Sequence, residues 1–186
     1  MNLYLRLIWT LLRAWRLPKI EINDPLERTF RVLPNDIDVN LHMNNGRYAT
    51  ICDLMIVEFF ARTGFLGVLL KRKWKPMVGG TLITYRKQLR LGQQYRLRYR
   101  WVGSDDYWNY MSFEFLTMDG QLCASGYSKG AAISSKGLVR NERSFAEMGL
   151  PMPLDALPAA VLNWRESEAQ LMNQSISARA AAVPAE

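Results

Sequence analysis

Histidine occurs once in this chain and cysteine only twice. Two cysteines, Cys52 and Cys123, cannot build a disulfide framework. Both stand among apolar neighbours, where a thiol reads as an inert core residue. One histidine without a cysteine pair argues against a zinc site, so no metal is expected. No apolar run reaches the roughly 20 residues that cross a bilayer. The opening "MNLYLRLIWTLLRAWRLPK" also lacks the small-residue cleavage site of a signal peptide. Zinc-finger spacing, an RNA-recognition signature and long basic runs are missing as well, so nucleic acid is not an expected partner. Internal repeats are absent. These gaps describe a protein at home in a reducing, cytoplasmic setting.

What is present is ordinary globular material with a basic balance. The 186 residues are 49% hydrophobic and 22% charged, with a net charge of +7. That length fits one domain with a tail. The positive charge suits an anionic neighbour such as a membrane face or a phosphate-bearing ligand, or it is a solvated surface.

Periodicity divides the chain. Residues 1–18 read as an amphipathic helix ended by Pro18, with Tyr4, Leu7, Ile8, Leu11, Leu12 and Trp15 on one face and Arg6 and Arg13 on the other. Such a helix lies in a membrane interface, or packs on its own domain or a second subunit. "LERTFRVLP" (26–34) predicts a strand. From about Gly46 to Thr63, apolar residues recur at three and four positions, which predicts a long helix ended by Gly64. The period then becomes two: strands are expected at 81–91, 94–102, 107–118 and 121–134, with Asp119-Gly120 as a hairpin turn. Helices are expected at 141–149 and 159–173. The domain plan is a core at 26–135, a helical extension at 136–175 and an unstructured tail at 176–186. The class is α+β, a central helix wrapped by an antiparallel sheet.

"NDIDVNLHMNNGRY" (35–48) carries the only histidine and leads into that helix. Unpaired N–H groups and the positive helix end point into such a loop. Fixed donors there stabilise an oxyanion, and the loop adds a carboxylate, carboxamides and an imidazole. The same residues serve equally well as caps and turns.

"DIDVNLHMNNGRY" resembles the signature of hotdog-fold acyl thioesterases of the 4-hydroxybenzoyl-CoA thioesterase-like branch. Its D-x-D-x-N-x-H-x-N-N-x-x-Y form is shared with plant acyl-ACP thioesterases. The flanks are similar to the thioesterase superfamily proteins related to mammalian member six. The resemblance implies a hotdog fold and hydrolysis of a CoA or ACP thioester, with no cofactor. It implies that Asp38 activates water or attacks the carbonyl, and that Asn40 and His42 orient water and share proton transfer. Asn44 and Asn45 would cap the helix, with backbone donors near Asn45, Gly46 and Arg47, and Tyr48 would position the loop. In the plant enzymes a glutamate follows on the next strand; here the run is "YRKQ" and the position is Gln88. Asp53 and Glu58, on the helix, read as solvated or structural.

Arg86, Lys87 and Arg90, together with Lys71, Arg72, Lys73 and Lys75, are candidates for CoA phosphates. Phe59, Phe60, Phe65 and Trp74 are candidate liners of an acyl pocket. A homodimer or homotetramer is expected, with peripheral membrane contact through residues 1–17. The competing readings are a non-catalytic acyl-CoA or lipid-binding module at a membrane and a hotdog enoyl thioester hydratase.

Overall fold

The alternation in "QYRLRYRWV" sets the centre of the sheet. A computed structural model describes residues 3–153 and 156–181, with side chains to residue 174. In it, Tyr95, Leu97, Tyr99 and Trp101 are all buried, while Arg96, Arg98 and Arg100 point away from the core. Side chains alternate across a strand, so one face is apolar and the other basic.

The chain up to Leu154 forms one unit, and the chain from Asp155 forms a second. In the first, α1 (Leu3–Arg16) is followed by β1 (Leu26–Arg31), a 3-10 turn (Pro34–Asp36), α2 (Asn45–Thr63), α3 (Phe65–Arg72), β2 (Lys75–Tyr85), β3 (Gln94–Ser104), β4 (Asn109–Thr117), β5 (Leu122–Ser134), β6 (Gly137–Leu138) and α4 (Asn141–Glu147). The second holds α5 (Ala159–Ala181). The segment expected to lack structure from 176 is therefore helical to Ala181, and residues 182–186 lie outside the described residues.

The sheet is antiparallel with order β1-β3-β4-β5-β2, and β6 adds to the end of β5. The four strands expected between 81 and 134 do not all pair in chain order. Only β3, β4 and β5 follow one another, while β2 crosses to the far edge beside β5. Pairing partners are long-range choices that strand periodicity does not encode. β2 also starts earlier than expected, at Lys75.

α2 is the central helix. Ile51, Cys52, Leu54, Met55 and Phe59 are buried against Leu97, Tyr99, Phe113 and Phe115 of the sheet. Asn44 caps it by accepting from the Gly46 N–H at 2.9 Å, and Gly64 ends it in the left-handed conformation at φ 85°. α3 was not foreseen. Phe65, Val68 and Leu69, spaced three and four apart, pack with Trp74, Ala132 and Val139 in a second small core.

α1 is turned over relative to its hydrophobic pattern. Arg6, Thr10 and Ala14 face inward, flanked by the partly buried Leu3 and Leu7. Tyr4, Leu5, Ile8, Trp9, Leu12 and Trp15 face out, with Tyr4 and Trp15 each 71% exposed. The inward arginines meet buried carboxylates: Arg6 binds Asp36 and Arg13 binds Glu58. Leaving either carboxylate buried and unpaired would cost more than exposing the leucines.

Candidate active site

The motif loop closes on itself and is stitched to the sheet. The Asp38 N–H donates to the His42 carbonyl at 3.0 Å, and the Leu41 N–H to the Asp38 carbonyl at 3.1 Å. The Asn40 N–H donates to Asp38 Oδ1 at 2.9 Å, an Asx turn that fixes the carboxylate. Leu41 takes a left-handed backbone, φ 61°, the conformation that reverses the chain at the tip. The Met43 N–H donates to the Leu89 carbonyl at 2.8 Å, and His42 bridges to Arg90.

This arrangement brings Asp38 and His42 together. His42 Nδ1 lies 3.6 Å from Asp38 Oδ2, and both side chains keep about a fifth of their surface exposed, 22% and 18%. At that distance the two groups are neighbours, too far apart for a hydrogen bond. The imidazole also leans on the Met43 carbonyl at 3.4 Å. Asn40 is exposed beside them.

At the helix start, the three expected backbone donors differ. The Gly46 N–H is engaged by the Asn44 side chain, and the Arg47 N–H by the Asn44 carbonyl at 2.9 Å. The Asn45 N–H is the remaining donor of the three. The following peptide is held in place, because the Tyr85 hydroxyl donates to the Asn45 carbonyl at 3.0 Å. Tyr48 is buried, edge-on to Tyr85 and Phe115. Burial, then the nearby Cys123 and Tyr85, pushes its hydroxyl up to about 12, so Tyr48 packs rather than transfers protons. Arg47 turns its guanidinium to Asp36, at 3.0 and 3.1 Å. Gln88 is exposed and precedes Leu89, next to the motif backbone.

The basic candidates fall into two groups at opposite ends of β2. Arg86, Lys87 and Arg90 follow it, near the motif loop. Lys87 is engaged by the Gln121 side chain. Lys71, Arg72 and Lys73 end α3 before the strand begins, and Arg72 pairs with Glu147 at 2.5 Å. Eleven residues of strand separate the groups, about 37 Å at 3.4 Å per residue. One copy of the chain does not unite them.

The helix-borne acids have separate places. Glu58 is fully buried and held by Arg13 at 2.6 Å, Arg28 at 3.1 Å and Arg62 at 3.6 Å. Asp53 opens onto a cavity of about 230 Å³ between α2 and the sheet, and burial raises its carboxyl above the ordinary range. Phe59, Phe60 and Phe65 line that cavity with Trp101 and Met111, whereas Trp74 belongs to the small core. Both thiols are buried, and burial pushes both up, away from the reactive thiolate.

Sequence reading had missed Asp36, the most heavily bonded residue of the loop. Its carboxylate accepts from Arg6 at 3.1 and 2.6 Å, from Arg47, and from the Leu33 N–H at 3.0 Å. Burial alone would raise its carboxyl; the bonds from Arg6, Leu33 and Arg47 more than offset that and hold it low. The first aspartate of D-x-D was the available signal.

A central helix in a curled antiparallel sheet, with an Asp/His/Asn loop at the helix start, defines a hotdog protein of the thioesterase kind. The chain belongs to the thioesterase-like superfamily, whose family model matches residues 32–183. Protein THEM6 of Danio rerio is 35% identical over 126 residues, which cover 65% of this chain and 61% of that protein. The match therefore spans less than two thirds of the relative's length. Among solved structures, the fold matches a 1,4-dihydroxy-2-naphthoyl-CoA thioesterase from Synechocystis with TM-score 0.59 at 8% identity, covering 67% of this chain and 95% of that one. It also matches a Staphylococcus aureus protein in complex with CoA, TM-score 0.60 at 17% identity, covering 77% and 95%.

Proposed function

We propose that this chain is an acyl-CoA thioesterase in which Asp38 directs water at a thioester carbonyl held at the start of α2. The observation that carries the reading is the Asx-turned Asp38 carboxylate beside the only imidazole, at a helix N-terminus, in a chain of this family. Asp38 takes a proton from a water that it positions with Asn40, as the water oxygen bonds to the thioester carbonyl carbon. The carbonyl oxygen, becoming negative, is met by the Asn45 N–H and the positive helix end. As the tetrahedral intermediate collapses and the carbon–sulfur bond breaks, the proton taken by Asp38 passes by way of His42, beside it, to the departing thiolate. Asp38 acting directly as nucleophile is the alternative within the same geometry.

The thioesters named for the Synechocystis relative, and CoA in the Staphylococcus structure, support CoA as the carrier over ACP. The cavity under α2 takes the acyl group. Its first lining residue on α2 is Asp53, eight residues past Asn45, about 12 Å along the helix, so extended chains reach it and acetyl does not. The outward face of α1 rests on the cytoplasmic face of a membrane, with its aromatic residues at headgroup level.

The test is thiol release from CoA thioesters, acetyl to palmitoyl and benzoyl, by wild type and Asp38→Asn. Turnover favouring longer chains, reduced roughly 10²-fold or more in the variant, the scale of losing an acid–base group, is the expected result. Binding of acyl-CoA without turnover on any member would replace hydrolysis with a carrier role. That second reading draws on Gln88, a carboxamide that orients water and takes no proton.

A further inference from the structure

We propose that Arg6, on the N-terminal helix, is a positioning residue for the Asp38–His42 loop and acts through Asp36. The inference rests on reading that loop as the active site, and it makes α1 part of the site's apparatus.

Asp36 is the pin on which the loop hangs. Its carboxylate takes the Leu33 N–H at the loop's entry and the Arg47 guanidinium at its exit. Its carbonyl accepts from the Asn44 N–H at 2.8 Å, just before α2. Between these fastenings the Asp38 side of the tip is held by short local bonds, and the His42 side is fastened to the sheet through Met43 and Arg90. Val39 and Leu41 at the tip are 95% and 78% exposed, so no packing fixes them in this chain. With His42 anchored on the sheet, the approach of Asp38 to it depends on where Asp36, two residues before Asp38, sits.

Asp36 has no exposed surface. A carboxylate there needs close counter-charge, or it protonates or swings out. Arg47 supplies part of it but is itself partly in solvent, at 23% exposure. Arg6 supplies the rest from thirty positions away, as a two-pronged fork onto both oxygens, with its own side chain 7% exposed. Only a planar guanidinium binds both oxygens at once; an ammonium keeps the charge and loses the orientation. The inversion of α1 has the same cause: the helix buries Arg6 and leaves Tyr4, Leu5, Ile8 and Trp9 outside.

His42 is the only histidine, so one ring resonance reports on the loop. In a protein labelled with ¹³C-ε1 histidine, we would record that resonance for wild type, Arg6→Lys, Arg6→Met and Arg13→Lys, beside their thermal melts. Arg13→Lys loosens the other tether of α1 without touching Asp36. Expected is a displaced or broadened His42 signal in Arg6→Lys and none in Arg13→Lys. With an acyl-CoA, Arg6→Lys lowers kcat by about tenfold to a hundredfold, the scale of a misplaced reacting group, with KM within about twofold. If Arg6→Met fails to fold, Arg6→Lys decides. A His42 signal unmoved in a folded Arg6→Lys protein with a lowered melt would make Arg6 purely structural and overturn the proposal. A wild type without turnover would defeat the hydrolase reading, yet leave the resonance to decide the role of Arg6.

Discussion

Among the described residues, Glu58 and Asp36 are the two carboxylates with no exposed surface, and each reaches α1. Glu58 joins α1, β1 and its own helix α2 through Arg13, Arg28 and Arg62. Arg28 is further tied to the Thr10 hydroxyl at 2.8 Å and lies over the Phe30 ring. Glu58→Gln keeps the size and an acceptor but removes the charge the arginines face. Because Arg13 retains a route to water, the loss should sit at the low end for a broken buried pair, about 3 kcal/mol. Urea unfolding measures it, and a change below about 0.5 kcal/mol, the scale of a surface substitution, would mean the arginines find other partners. Asp36 adds a pH dependence with a definite sign. Its folded carboxyl is held below the ordinary value, about 3.9 when unfolded. Its stabilisation is complete above that value and disappears as pH falls through the depressed folded one. Melts from pH 7 downward should therefore lose stability below about pH 4 in wild type, and less steeply in Asp36→Asn, which starts from a lower plateau.

The helices show what sequence patterning encodes and where it stops. The core face of β3 was legible because Tyr95, Leu97, Tyr99 and Trp101 repeat every second residue, and α2 because its apolar residues repeat at helical spacing. Its caps, Asn44 and Gly64, were legible as chemistry. The inversion of α1 was not. Patterning assigns apolar residues inward, and the partners that draw Arg6 and Arg13 inside lie thirty and forty-five positions away. α3 was hidden by its shortness, eight residues between Gly64 and Lys73. Within the loop, Asp38 and His42 were legible from the motif, while the work of Asp36 depends on an arginine outside it. The exposed face of α1 leads to a direct test. Trp9 and Leu12 are 57% and 41% exposed, so replacing both with Glu should leave the melt within about 0.5 kcal/mol of wild type per site. Wild type should sediment with anionic phospholipid vesicles, and the double variant should stay in the supernatant. Vesicle binding untouched by the two charges would move the contact off α1.

At the scale of the molecule, β2 is an edge strand, and among the described residues no strand covers its outer side. An open edge eleven residues long, with Val78 and Leu82 48% and 42% exposed, invites pairing with another chain. A second copy of this chain would satisfy it by antiparallel pairing about a two-fold axis, as isologous interfaces require. That pairing has a consequence for the substrate. The Lys75 end of one β2 would lie against the Tyr85 end of the other, so Lys71, Arg72 and Lys73 of one copy would approach Arg86, Lys87 and Arg90 of the second. The two basic groups, about 37 Å apart along a single strand, would become one anion site beside each motif loop, able to hold the phosphates of CoA. Sedimentation of wild type should give a dimer. Val78→Lys with Leu82→Lys should give a monomer, because like charges brought opposite each other across a strand pair repel. In that monomer KM for an acyl-CoA should rise, while short acyl thioesters lacking the nucleotide are bound as before. A monomeric wild type would remove β2 as an interface. A monomeric variant with unchanged KM for acyl-CoA would assign the phosphates to one basic group alone, and the Arg86–Arg90 group beside His42 would be the one to substitute next.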